Sequence, residues 1–186
     1  MLGKYEKKGL SKYCSYLLRH HPEDLNLQMS VEGWVSVDEL VSKLNRFRNF
    51  SVNEQDILEM VRVNDKQRFA IKEEDSKLLI RANQGHSIRW IQMDYKPVNP
   101  PHILYHGTGE KYVQSILKKG IMHKGRQYVH LSSTIEMAKL VGQRHGKVRI
   151  FVVDCDKMVA DGCIFYCSEN GVWLTDYVDS KYIKLM

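Results

Sequence analysis

A guanidinium, a phenol, an imidazole and a hydroxyl occupy every second position of the segment 126–132. If this segment is a β-strand, these four side chains share one face, because successive side chains point to opposite faces. They belong to Arg126, Tyr128, His130 and Ser132. Such a face is typical of a ligand cleft, although an ordinary solvent-exposed strand face would have the same polarity.

A second group with possible chemistry is His106-Gly107-Thr108-Gly109, which directly follows the apolar stretch 103–105. Glycine allows a ligand to approach the backbone closely, and imidazole and hydroxyl groups add hydrogen-bonding atoms beside it. The sequence is therefore consistent with a ligand-binding turn. An ordinary connection between a strand and a helix explains it as well.

Cationic side chains of the first half form a third group. Arg19, His20 and His21 stand together at the C-terminal end of a predicted helix, where they could bind an anion or only complement the helix dipole. Arg68 lies on the face of a predicted strand opposite to Phe69, so its guanidinium is not needed in the core. Alone, it would be an ordinary surface arginine.

The elements that position these groups differ between the two halves of the chain. In the first half, apolar residues at helical spacing from Leu10 to Leu18 predict an amphipathic helix that ends before Pro22. Capping-box patterns at 36–39 and 51–54 predict two further helices. Residues 67–81, with a polar turn at 72–76, predict a β-hairpin. Three helices and a hairpin are the order expected of a winged helix, which is common among nucleic-acid binders.

In the second half, short strands alternate with few helices, so the whole chain is predicted to have an α+β fold. Three of its four prolines lie in 97–101 and predict a linker at 93–101. Strands are expected at 103–105, 128–132, 147–153, 162–166 and 172–175, and helices at 110–119 and after 133. Neither a GxGxxG nor a GxxxxGK[ST] motif occurs, so Rossmann and P-loop nucleotide sites are not predicted.

The composition favours an anionic partner. The 186 residues carry a formal net charge of +6, and the segment 111–150 holds nine basic residues against one acidic residue. This charge could attract phosphate groups or could belong to a solvated surface. With 43% hydrophobic residues, no apolar run near ~18 residues and no apolar core of a secretion signal at its start, the chain is expected to be cytoplasmic and to have no membrane partner. Four cysteines without paired spacing predict no metal site.

Six short motifs give the sequence a family resemblance over roughly residues 8 to 185. They are Leu18-Arg19-His20, Arg68-Phe69, Arg81-Ala82-Asn83-Gln84-Gly85-His86-Ser87, Tyr105-His106-Gly107-Thr108, His130-Leu131-Ser132 and Asn170-Gly171-Val172-Trp173-Leu174-Thr175. In this order they resemble the RNA 2′-phosphotransferase family, KptA type. No single motif is specific, but their joint occurrence in this order makes a chance agreement improbable.

This resemblance implies a winged-helix RNA-binding lobe at 1–92, a linker at 93–101 and an ADP-ribosyltransferase-like, NAD-binding lobe at 102–186. It also implies a reaction on RNA that carries an internal 2′-phosphate, such as a ligated tRNA splice junction. The 2′-phosphate attacks ribose C1″ of NAD+ and nicotinamide leaves. The ADP-ribose 2″-OH then attacks the phosphate, which yields 2′-OH RNA and ADP-ribose 1″,2″-cyclic phosphate. NAD+ is consumed and no metal is required.

The resemblance also assigns residues to roles. The residues expected to clamp the 2′-phosphate are Arg19, His20, Arg68 and Arg126, and His20 is the candidate to protonate the departing RNA 2′-oxygen. Those expected to hold NAD+ are His106, Gly107, Thr108, His130, Leu131 and Ser132. Asn83, Gln84 and His86 are expected to contact RNA or phosphate. Many ADP-ribosyltransferases have a catalytic glutamate late in the fold, and by resemblance the corresponding place in this chain is near Val172, which cannot ionise. The absence of a glutamate there suits an acceptor that is already anionic.

Two other functions remain open at this point. The protein could be a winged-helix nucleic-acid binder whose second lobe is only a scaffold, and it would then consume no NAD+. It could also be an ADP-ribosyltransferase that acts on other phosphate ends or on protein, and its product would then be stably ADP-ribosylated. A monomer is expected in each case.

Overall fold

A computed structural model describes residues 4–48 and 50–186 of the chain. The chain divides into two compact units, Met1–Asp94 and Tyr95–Met186, called here the first and the second unit. The first three residues of the predicted lobe at 1–92 lie outside the described residues. Both helices and strands occur in each unit, so the α+β fold class is confirmed.

The first unit begins with three α-helices whose apolar faces meet in one core. They are α1 (Lys4–Arg19), α2 (Val37–Arg48) and α3 (Glu54–Arg62), and a 3-10 helix, Pro22–Leu25, follows α1. The α1 side chains that the periodicity selects as apolar are the buried ones, with Leu10, Leu17 and Leu18 fully inaccessible. The first helix thus ends at Arg19, before Pro22, as predicted.

The capping residue of α3 differs from the sequence prediction. The pattern at 51–54 predicts Ser51 as the cap, but Asn53 caps the helix: its Oδ1 accepts from Asp56 N at 3.0 Å, and Asp56 Oδ2 accepts from Asn53 N at 3.1 Å. The reason lies in Val52, which is 4% exposed and whose N and O both bond to the Asn45 side chain. This pairing keeps the chain non-helical until Asn53.

A small antiparallel sheet completes the first unit. Its strands are β1 (Val35–Ser36), β2 (Phe69–Glu74) and β3 (Lys77–Ala82), in the order β1-β3-β2. The hairpin turn is shorter than the predicted 72–76, because β2 continues to Glu74 and only Asp75 and Ser76 lie between the strands. Their φ angles of 50° and 58° have the positive sign of a type I′ turn, whose twist matches that of the paired strands.

The second unit combines three small sheets with short helices. Its strands are β4 (Ile103–Gly109), β5 (Ile121–Met122), β6 (Val129–Leu131), β7 (Val148–Asp154), β8 (Tyr166–Cys167), β9 (Trp173–Thr175), β10 (Tyr177–Val178) and β11 (Ile183–Leu185). Its α-helices are α4 (Val113–Lys119), α5 (Ile135–Gly142) and α6 (Cys155–Ala160), with 3-10 helices at Glu110–Tyr112, Gln143–His145 and Ser180–Tyr182. The sheets have the orders β11-β7-β4, β6-β9-β8 and β10-β5.

Some expectations for this half need correction. The sequence predicts a turn at 106–109 after a strand at 103–105, but β4 continues through Gly109. The strand predicted at 162–166 is limited to Tyr166–Cys167, and the Ile164 carbonyl instead accepts a hydrogen bond from Thr175 Oγ1 at 2.9 Å. The predicted linker is also not separate along its whole length. Pro97 forms a β-bridge with Tyr166, and Val98 N donates to Phe165 O at 2.9 Å. This end of the proline segment is therefore part of the second unit.

The core of the second unit lies around the middle of its β11-β7-β4 sheet. Leu104, Phe151 and Val153 have no exposed surface, and Cys155 and Met158 of α6 are equally buried. Among the described residues, no helix is both long and apolar enough to cross a lipid bilayer.

Candidate active site

In the first unit, the segment 83–87 connects the end of β3 to predicted phosphate ligands. The Asn83 backbone N donates to Arg68 O at 2.9 Å, and the Asn83 side chain donates to Gln67 O at 2.7 Å. Asn83 is 4% exposed. The Asn83 side chain therefore orients the backbone at Gln67 and Arg68, just before β2 begins.

The other end of this segment contacts the C-terminus of α1. Ser87 N donates to Arg19 O at 3.0 Å, and Ser87 Oγ lies 2.9 Å from His20 Nδ1. A hydrogen bond at Nδ1 sets the orientation of the imidazole ring and leaves Nε2 as its outward nitrogen. The structure thus brings the predicted Arg19, His20 and Arg68 onto one short segment of the first unit.

Gly85 lies beside the Arg19 side chain on this segment. Its φ of 89° is in the left-handed region, which glycine adopts without strain. A Cβ at Gly85 would be in ordinary van der Waals contact, 3.8 Å from Arg19 Cδ, Nε and Cζ, so the backbone conformation is the reason for glycine here. The predicted RNA-contacting residue Gln84 is half-buried beside it.

His86 is the buried imidazole of this cluster. It is 2% exposed, and burial lowers its pKa to about 4, helped by the positive charges of Arg19, His20 and Arg81. Its Nε2 is buried and has no hydrogen-bond partner among the described residues, and it lies against the backbone of Gly33. At neutral pH the ring is therefore uncharged, and it packs among cations without adding repulsion.

Sequence reasoning missed one residue that contacts the predicted site. Asn64 Oδ1 accepts hydrogen bonds from Arg68 N at 3.4 Å and from Arg68 Nη1 at 3.2 Å. Asn64 Nδ2 donates to Ser11 Oγ of α1 at 2.9 Å. Asn64 thereby connects Arg68 to α1. It follows the end of α3, where apolar periodicity carries no information, so only the folded contact reveals it.

In the second unit, the two predicted NAD-binding histidines are coupled through backbone carbonyls. His106 Nδ1 lies 3.2 Å from His130 O, and His130 Nδ1 lies 3.0 Å from Tyr128 O. A carbonyl can only accept, so each Nδ1 carries a proton. Burial lowers the pKa of His106, which favours its neutral form with Nε2 as the acceptor.

Ser132 and Leu131 occupy the strand edge beside these histidines. Ser132 and Tyr105 exchange two backbone hydrogen bonds of 2.8 Å, which join the end of β6 to β4. Leu131 is 1% exposed and Thr108 is 5% exposed. Leu131 therefore belongs to the core by its side chain, and only its backbone can contact a ligand.

Gly107 has a packing role that the sequence does not indicate. A Cβ at this position would lie 1.7 Å from the carbonyl oxygen of Ala138, which is buried in α5. Gly109 is similar, with His145 O at 2.3 Å from its would-be Cβ. The absence of side chains at both positions lets α5 and the following 3-10 helix pack directly on β4.

Arg126 does not lie in a strand. It closes a turn in which its N donates to His123 O at 3.1 Å, and β6 begins only at Val129. The alternation argument thus holds for His130 between buried Val129 and Leu131, but not for Arg126. Partial burial of the guanidinium, and then the charge of Arg144, lowers the pKa of Arg126, which remains protonated at neutral pH.

These features are those of a two-unit α+β protein with an arginine–histidine cluster in the first unit and buried or half-buried imidazole and hydroxyl groups in the second. Comparison with known proteins identifies the family. A model of the family described as "RNA 2'-phosphotransferase, Tpt1 / KptA family" matches residues 5–177. The chain belongs to this family, whose members are transferases, and the family resemblance seen in the sequence is confirmed.

Individual relatives agree over nearly the full length. A protein of Trichormus variabilis is 49% identical over 177 residues, which are 95% of each chain. One of Acaryochloris marina is 46% identical over 94% of each chain, and one of Pseudomonas fluorescens is 42% identical over all 186 residues. Each of the three is named a probable RNA 2′-phosphotransferase.

Proposed function

We propose that this protein removes an internal 2′-phosphate from RNA and transfers it to the ADP-ribose part of NAD+. Family membership supports the reaction class. The observation that carries the proposal is that the segment 83–87 bonds to the backbone carbonyls of Arg19 and Arg68 and to the side chain of His20, so these three residues are held by one stretch of backbone. Guanidinium groups bind phosphate through two parallel hydrogen bonds, which matches the substrate that distinguishes this family.

The first unit holds the 2′-phosphate in this mechanism. Arg19 and Arg68 orient it while one of its oxygens bonds to ribose C1″ of NAD+ and the bond to nicotinamide breaks. The phosphate is already anionic, so no side chain has to remove a proton in this step. A valine near the position of the usual ADP-ribosyltransferase glutamate, Val172, is compatible with that.

The second step needs charge stabilisation and a proton. Arg19 and Arg68 stabilise the crowded phosphate while the ADP-ribose 2″-oxygen bonds to phosphorus and releases its proton to solvent. The bond from phosphorus to the RNA 2′-oxygen breaks, and His20 delivers a proton to that oxygen. Ser87 supports this role because it holds His20 Nδ1 at 2.9 Å and so orients the ring.

NAD+ is assigned to the second unit. The imidazoles of His106 and His130 and the hydroxyls of Thr108 and Ser132 are the groups proposed to bind its hydroxyl and amide groups. Gly107 and Leu131 contribute backbone atoms. Asn83, Gln84 and His86 are expected from the sequence to contact RNA or phosphate, but Asn83 and His86 are buried, so we propose that their segment acts by supporting Arg19 and Arg68.

The proposal includes the wider sequence predictions. The first unit acts as a winged-helix RNA-binding lobe and the second as an ADP-ribosyltransferase-like lobe. Helices α1 to α3 followed by the β2–β3 hairpin support the first assignment. Action on tRNA splice junctions, a cytoplasmic location, a monomeric state and independence from metal ions are further predictions.

The deciding experiment incubates the protein with a 2′-phosphorylated oligonucleotide, with and without NAD+, and identifies the products by mass. We expect 2′-OH RNA, nicotinamide and ADP-ribose 1″,2″-cyclic phosphate only with NAD+. A stable ADP-ribosylated product would instead support the alternative transferase, and RNA binding without NAD+ consumption would support a binding module. An Arg19→Lys variant should lose most activity, whereas Arg46→Lys, exposed on α2, serves as the control.

A further inference from the structure

A groove of about 790 Å³ lies in the first unit, between α1 and the stretch that leads from α3 to β2. Its volume is within the range of ligand-binding clefts. Of the described residues that line it, five are basic, namely Lys7, Lys8, Lys12, Lys66 and Arg68, and one is acidic, Asp65.

Part of this positive charge is not neutralised within the protein. Lys7 forms an ion pair with Glu59 at 3.5 Å. Lys8 and Lys12, one helical turn apart on the same face of α1, have no ion pair in the part of the chain that the structure describes. Two adjacent lysine ammonium groups above a groove attract an anion with more than one charge.

The same face of α1 leads to the phosphate cluster. Ser15 follows Lys8 and Lys12 at helical spacing, and its buried Oγ has no hydrogen-bond partner among the described residues. Arg19 is the next residue in this series. From Lys8 to Arg19 the helix rises about 16 Å, at about 1.5 Å per residue, which is the length of several nucleotides.

The opposite wall of the groove is also connected to the phosphate cluster. Arg68 is both a lining residue and a proposed phosphate ligand. Asn64, which lines the groove, bonds to Arg68 Nη1 on one side and to Ser11 Oγ of α1 on the other. The two walls are therefore joined next to Arg68.

We infer that this groove binds the sugar-phosphate backbone of the RNA on one side of the 2′-phosphate, and this inference rests on the proposed function. Lysine side chains act as point charges, so the binding does not depend on base sequence. The groove thus adds affinity for RNA longer than the reacting nucleotides. It does not take part in the bond changes.

The test compares two substrates, a 2′-phosphorylated oligonucleotide of about 12 nucleotides and a dinucleotide that carries the same 2′-phosphate. In a Lys8→Gln, Lys12→Gln double variant we expect the preference for the longer substrate, as the ratio of kcat/KM values, to fall roughly tenfold. The slope of log Kd for the longer RNA against log salt concentration should decrease by about 1.4, because each of the two lost phosphate contacts contributes about 0.7. A Lys77→Gln, Lys118→Gln variant removes the same charge from exposed positions outside the groove and should behave as wild type.

An unchanged substrate preference in the double variant would overturn the inference, as would an equal loss in the control variant. Fluorescence anisotropy of the labelled longer RNA, measured without NAD+, tests the groove independently of turnover. If the wild type binds this RNA through Lys8 and Lys12 but removes no phosphate, the proposed function is wrong and the inference that the groove binds RNA is supported. If the wild type turns over both substrates with equal efficiency, the inference about the groove is wrong and the proposed function is supported.

Discussion

His86 should make the first unit lose stability as the pH falls below neutral. Its imidazole is 2% exposed, and the groups that face it, Arg19, His20 and Arg81, are all basic. Both the burial and these charges oppose protonation in the folded state, where the pKa is about 4. In the unfolded chain the same ring titrates near its ordinary value of 6.5.

The sign and size of the effect follow from this difference. Between pH 6.5 and 4 the unfolded chain takes up a proton at His86 and the folded protein does not, so stability falls as the pH falls. Above this window both states are neutral, and below it both are protonated. A difference of about 2.5 pKa units, at about 1.4 kcal/mol each, predicts a loss of about 3 kcal/mol across the window.

Urea unfolding of the wild type and of a His86→Gln variant at several pH values measures this loss. A Trp173→Phe background leaves Trp34 and Trp90, both in the first unit, as fluorescent reporters. Carboxylates titrate equally in both proteins, so the difference between the two unfolding free energies isolates His86. We expect the wild type to lose about 3 kcal/mol relative to the variant between pH 7 and pH 4.

The control variant is His102→Gln, which replaces an exposed imidazole outside the first unit. Parallel profiles of wild type and His86→Gln, with a constant difference across the window, would refute the reasoning. They would mean that His86 has the same pKa in the folded and unfolded states.

Three further predictions test the second unit, one helix cap and the reaction. Gly107→Ala should lower the free energy of unfolding by about 3 kcal/mol or more, because its Cβ would lie 1.7 Å from Ala138 O. Gly125→Ala, with open space around the new Cβ, is the control and should not lower it. An unchanged Tm of Gly107→Ala in thermal unfolding would contradict the packing argument. Asn53→Ala should lower the free energy of unfolding by about 1 kcal/mol through loss of the α3 cap, and no loss in urea titrations would make the cap irrelevant. Arg126→Ala should fold normally but slow the first step or let ADP-ribosylated RNA accumulate in product mass spectra, and wild-type turnover would remove Arg126 from the mechanism.

The local pattern of apolar residues is sufficient to predict much of the secondary structure of the first unit. The spacing of Leu10, Leu17 and Leu18 predicts the buried face of α1, because a helix in water is stabilised by burying one side. The hairpin was predicted with its turn too long. The pattern at 51–54 predicts the wrong cap, Ser51, because the start of α3 depends on a contact between Val52 and Asn45, seven residues apart.

By itself, the sequence determined the family, the α+β class and the identity of the candidate phosphate ligands, since motif order and apolar periodicity are properties of the linear chain. The support of these ligands, in contrast, depends on the folded chain. The contacts of Ser87 with His20 and of Asn64 with Arg68, and the neutral state of His86, were not predictable from local pattern. Each depends on burial and on segments that meet only when the chain folds, and these determine hydrogen-bond geometry and pKa.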